Sequence, residues 1–166
     1  SEQYILGAMA YNSFNGVAGM SVFSRGGYDY YNNPIANTDA ADVVIMDYAQ
    51  RAVRTAVALA KPAMILIPSD GSVRSNNSAT KSDWQGDRDD SLWIMILYSP
   101  NGVKLTRSQI GAHAVSQNVD LTIGPADNLS AIASVIAANY LKFAGKANMI
   151  SSLTGLSPTD ANIIVA

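Results

Sequence analysis

Leu92-Trp93-Ile94-Met95-Ile96-Leu97-Tyr98 is followed by Ser99-Pro100-Asn101-Gly102 and then Val103-Lys104-Leu105-Thr106. This stretch decides the fold class. The first run is continuously apolar and of strand length, as expected for a strand covered on both faces. Asn-Gly supplies the positive-φ positions of a tight turn. Residues 103–106 then alternate apolar and polar, as a partner strand does. A hairpin makes neighbouring strands antiparallel. The predicted fold is therefore α+β with a mixed or antiparallel sheet, not doubly wound α/β.

Working outward, Ala63-Met64-Ile65-Leu66-Ile67, closed by Pro68, reads as a second buried strand. Val119, Leu121 and Ile123 alternate with Asp120 and Thr122, which predicts a half-buried strand after a short helix within 107–117. The central strand is expected at residues 93–97, against the helices that carry Ile45 and Ile136.

Two helices pack this sheet. The first is predicted over about 38–60. Asn37 or Thr38 serves as N-cap, Asp39 and Asp42 sit in the first turn where the helix dipole favours anions, and Pro62 stops it. Ile45, Tyr48, Ala49, Ala52, Val53, Ala56, Leu59 and Ala60 share one face, while Asp47, Gln50, Arg51 and Arg54 take the other. The second is predicted over about 128–144, capped by Asp127 or Asn128 and terminated at Gly145. Leu129, Ile132, Val135, Ile136, Tyr140 and Phe143 form its apolar stripe. Residues 1–36 contain Gly7, Gly16, Gly19, Gly26 and Gly27, which argue against a long helix. Residues 16–23 read there as a short strand. The chain is predicted to be a single domain, 1–166, with an extended N-terminal arm (1–36) and a C-terminal tail (155–166).

Composition narrows function by exclusion. The chain has 166 residues, 48% of them hydrophobic, which fits one folded domain. Cys is absent, so disulfides and thiolate zinc sites are excluded. No run of basic residues marks a nucleic-acid phosphate track. The stretch 4–23 lacks the basic start of a signal peptide and is too polar for a membrane span. Charged residues reach only 14%, against about 25% in an average soluble domain. That is roughly one charge per 330 Å² of compact surface, against one per roughly 190 Å² at average composition. Either Ser, Asn, Thr and Gly cover the surface, or much of it is buried against other copies, where interface cores are poor in charge.

The 69–91 segment lies between two predicted strands and is long for a loop in a compact domain. Asp83, Asp87, Asp89 and Asp90 are oxygen donors of the kind calcium takes, but their spacing is not that of an EF-hand and Arg88 offsets them. The plainer reading is a solvated arm. Trp84, amid polar residues, has the character of an interface anchor. Tyr28, Tyr30 and Tyr31 cluster in a second loop with the same character. Ile163, Ile164 and Val165 form an apolar tail that either closes its own sheet or adds a strand to a neighbour.

Catalytic motifs are absent. No G-x-S-x-G, G-x-G-x-x-G or P-loop occurs, and His113 is the only imidazole. Its neighbours Gly111, Ala112, Ala114 and Val115 are small or apolar, the setting of a structural histidine. No cofactor is implied. The composition is poor in Glu and Lys and rich in Ala, Ser and Asn. In this it looks like that of self-assembling shell, tube or filament subunits. The leading expectation is a structural subunit whose partners are copies of itself or other subunits of a virion or extracellular assembly. The alternative is a small hydrolase or ligand-binding domain using Asp or Ser chemistry with His113. A lone binding module led by the tyrosine loop is a third.

Overall fold

Alanine spacing in the long predicted helix sets where the chain packs most closely. The computed structural model describes residues 1–24, 34–69, 72–74, 78, 80, 85–87, 92–115 and 119–166. Helix α1 spans Glu2–Phe14, and α2 spans Pro34–Leu59. The strands are β1 (Ala63–Ile67), β2 (Ser72–Arg74), β3 (Gln85–Asp87) and β4 (Ile94–Tyr98). Helix α3 spans Leu129–Phe143, and a 3-10 turn at Ala147–Met149 leads into α4, Ile150–Thr154. β1 pairs with β4, and β2 pairs antiparallel with β3, Val73 opposite Gly86. The fold is α+β, and both predicted helices are present, but α2 begins at Pro34, a residue suited to the first helical turn, so Asn37 and Thr38 lie within the helix and do not cap it. The chain divides into two compact units, Ser1–Leu66 with Met95–Gly102, and Ile67–Ile94 with Val103–Ala166.

In the first unit α1 packs on α2. The buried side chains there are Ala10 of α1 and Ala41, Ala49, Ala52 and Ala56 of α2. Residues this small fill little space, so the backbones they carry can approach closely. Tyr48 donates a hydrogen bond to the Glu2 carboxylate (2.7 Å), and its ring meets Phe23 edge-on at 5.1 Å. Asp47 and Arg51 pair at 2.7 Å on the solvent side, an exposed i,i+4 ion pair of the kind that adds little to stability.

The N-terminal reading is corrected by α1. Gly7 lies inside a helix, and a single glycine disfavours a helix interior by only about 1 kcal/mol. Packing on α2 offsets that. The expected strand over 16–23 does not form. Gly16, with φ 74°, ends the helix, and the amides of Val17 and Ala18 turn back to the Asn12 carbonyl.

The decisive hairpin is also corrected. The turn itself forms: Gly102, with φ 81°, donates to the Ser99 carbonyl at 2.9 Å. Beyond it the chain leaves β4. Leu105 instead bridges Val165 antiparallel, Thr106 donates to Ile164 (2.7 Å) and Ala166 to Lys104 (3.0 Å). β4 takes β1 as its partner, because two continuously apolar strands match across the ladder better than β4 and an alternating one. β4 is not a central strand: its sheet has two strands among the described residues, Met95–Tyr98 are half-buried and Ile94 is exposed. Trp93 anchors the strand entry by donating its indole N–H to the Ser69 carbonyl at 2.9 Å.

The second unit centres on α3. Asn128, in extended conformation, caps it by accepting from the Ala131 amide at 3.0 Å. At its far end Gly145 (φ 69°) donates to Lys142, and Lys146 donates to Leu141, completing a Schellman motif. The buried stripe is Ile132, Val135, Ala138 and Asn139, while Leu129 and Tyr140 are exposed. The stripe is therefore rotated from the predicted one, because a polar residue sits at its middle. The short helix expected in 107–117 and the strand at 119–123 are absent among the described residues. His113 and Val119 form one isolated bridge, and Asp120 accepts from both the amide and the hydroxyl of Thr122 (2.9 and 2.6 Å). That local turn competes with an extended strand. It also lowers the pKa of Asp120, the Thr122 hydroxyl contributing most. The loop closes where Gly124 meets Gly111. A Cβ on Gly124 would lie 2.9 Å from the Gly111 Cα.

Candidate interaction surface

Among the described residues of the first unit, exposed apolar side chains gather on α1 and the segment that follows it. Tyr4, Ile5, Ala8 and the polar Asn12 project on the side of α1 opposite buried Ala10, with Tyr11 at the edge of that face. Tyr4 is 77% exposed. The only charged side chain of the helix is Glu2. After the turn at Gly16 the chain folds back along α1, where Ser21 donates to the Met9 carbonyl (3.2 Å) and accepts from Ser13 (2.6 Å). This holds Val17, Met20 and Val22, all exposed, along the Met9 and Ser13 side of the helix, across from Tyr4 and Tyr11. Helix α1 is thus apolar on both faces, and an ordinary surface helix has only one such face.

The outer face of α2 is mixed. Val43, Met46 and Val57 are exposed, with Gln50 and Arg54 between them. An open depression of about 460 Å³ lies where the start of α1 meets α2, lined by Ser1, Glu2, Gln3, Val43, Val44, Asp47 and Tyr48. Its two carboxylates are already engaged, Glu2 by Tyr48 and Asp47 by Arg51.

The residues singled out by sequence are placed as follows. Trp84, Tyr28, Tyr30 and Tyr31 lie outside the described residues, as do Asp83, Asp89 and Asp90. Asp87 ends β3, described there by its backbone alone. No group of three His, Asp or Glu side chains among the described residues is arranged to hold a metal ion. The tail is taken up by its own unit. Ile163 is half-buried, and Ile164 and Val165 are buried. Their backbone is held by Asn139 and by the 104–106 segment. Strand addition to a neighbour would require breaking those bonds, so the tail is not the free apolar end that its sequence suggests. His113 is exposed, and no described Ser or Asp hydrogen-bonds its ring.

The glycines of residues 1–36 conceal the α1 surface at the level of sequence. Its signal lies in residues 4–14, where apolar side chains fall all round a helical wheel and charge is absent. No helix among the described residues is long and apolar enough to cross a membrane. No protein-family model matches the chain, and no characterised protein or solved structure matches it.

Proposed function

We propose that this protein is a structural subunit that assembles with copies of itself, as a component of a shell, tube or filament. One observation carries the reading: α1 exposes Tyr4, Ile5 and Tyr11, and the segment that follows it exposes Val17, Met20 and Val22. Large apolar patches on a soluble chain usually mark an interaction site. The low charge of the whole sequence supports the reading, since interface cores are depleted in charged residues. So does the core of the first unit, whose buried side chains among the described residues are all alanines. Ala packing buries little apolar area per residue and leaves stability to be gained by association.

The test is solution mass by light scattering across a wide range of protein concentration. Masses at multiples of 17.5 kDa that grow with concentration are expected. A clean monomer at the highest concentration reached would remove the basis of the proposal.

A further inference from the structure

We infer that Asn101 is a spontaneous modification site, where the side-chain amide is lost to give aspartate and isoaspartate. The inference concerns one turn and holds whether or not copies assemble. The triplet Asn-Gly-Val occurs twice, at 15–17 and at 101–103. Asparagine is a labile residue, and a following glycine makes it more so, because no Cβ shields the attacking amide nitrogen and the backbone there turns freely. The local chemistry is the same at both places, so the structure decides between them.

The reaction needs only water and hydroxide. The Gly102 amide gives its proton to hydroxide, and its nitrogen attacks Asn101 Cγ. The new N–Cγ bond forms, the Cγ–Nδ2 bond breaks, and ammonia leaves. Water then opens the five-membered imide at either carbonyl. Attack at Cγ gives aspartate. Attack at the main-chain carbonyl gives isoaspartate, whose main chain runs through Cγ. Amide and water become carboxylate and ammonium, which adds one negative charge to a chain of net charge -2.

Both asparagines are exposed and start from the same backbone shape. Asn15 has ψ 0°. Asn101 is the third residue of the turn closed by the bond from Gly102 to Ser99, Pro100 precedes it, and its φ is not positive. Those features make the turn type I, with ψ of about 0° at Asn101. In either case the following peptide must swing out of this arrangement before its nitrogen reaches Cγ. At Asn15 the swing is opposed on all sides. Its Nδ2 donates to the Tyr11 carbonyl (3.2 Å), the Gly16 amide to Ser13 (3.0 Å), and the Val17 and Ala18 amides to Asn12 (2.9 and 3.2 Å). At Asn101 the swing breaks one bond, Gly102 to Ser99 (2.9 Å). The Asn101 side chain and the Val103 amide have no hydrogen-bond partner among the described residues.

Peptide mapping by mass spectrometry, on the parent held in mildly alkaline buffer, tests this. The peptide holding Asn101 should gain the mass of O exchanged for NH at least about tenfold faster than the peptide holding Asn15, the factor that one lost hydrogen bond makes. In concentrated urea the two rates should converge. Asn101→Gln should abolish the fast gain, since glutamine must close a six-membered ring, and leave the Asn15 rate unchanged. Equal rates in the folded protein, or faster conversion at Asn15, would overturn the inference. So would an Asn101 that stays intact while urea-unfolded protein converts at both sites. A tenfold ratio that persists in urea would also overturn it, because the preference would then be local and not structural.

Discussion

Asn139 is the residue on which the second unit turns. It is fully buried in the middle of the α3 stripe. Its amide donates to the Val135 and Asn162 carbonyls at 2.9 and 3.0 Å, and its oxygen accepts from the Ile164 and Val165 amides at 2.8 and 3.2 Å. Those four bonds use the full capacity of an asparagine side chain. They also explain how a polar group tolerates zero exposure and how the tail stays docked. Asn139→Ala leaves two buried amides and a carbonyl without their partner. Since each such group costs about 1–3 kcal/mol, the substitution should destabilise the protein by about 3 kcal/mol or more. Urea unfolding measures this, and amide exchange at Ile164 and Val165 should accelerate with it. A loss under about 1 kcal/mol would mean that the tail is held by other contacts.

At the scale of the element, three helices end by the same device, α1 and α3 with a glycine, Gly16 and Gly145, and α2 without one. α3 ends with Gly145 in the left-handed region, where glycine is unstrained. α2 makes the corresponding pair of bonds, Ala60 to Val57 (3.0 Å) and Lys61 to Ala56 (3.1 Å), but with an alanine at φ 51°. The Cβ of an L-residue there meets its own carbonyl, at about 1–2 kcal/mol. Ala60→Gly relieves this and should raise stability by about 1 kcal/mol, less a share returned to the entropy of the unfolded chain. The readout is the thermal unfolding midpoint, and a midpoint that falls would show that the Ala60 methyl packs usefully.

For the molecule as a whole, charge decides how copies should meet. The chain carries eleven basic and thirteen acidic side chains, a net charge of -2, so neither strong repulsion nor strong steering between copies is expected. Association through α1 should therefore hold or strengthen as salt rises from about 0.1 M to about 1 M, where the screening length falls from about 10 Å to about 3 Å. Sulfate should strengthen it further, by favouring apolar burial. Sedimentation at stepped salt concentrations measures this, and a tenfold weakening would mean that ion pairs join the copies. For further contacts between copies, the 69–91 segment with Trp84 and the tyrosine loop remain the sequence's own candidates.

By itself the sequence determined those features that are written locally. The α+β class, α2 and α3, the Asn128 cap, the Gly145 terminator and the 99–102 turn each depend on neighbours a few residues away. It also determined the exclusions, since missing cysteines and motifs need no fold to be seen. Tertiary structure alone decided which strand β4 pairs with, because cross-strand matching compares segments some thirty residues apart. It decided that α1 is a helix, since packing on α2 outweighs the local preference of Gly7. It decided that Asn139 faces inward, because the carbonyl and amides that satisfy it arrive from residues 162–165, and no periodicity in α3 encodes them. And it decided where the exposed apolar surface lies, because α1 is apolar on both sides and only its contact with α2 selects which side is left to solvent.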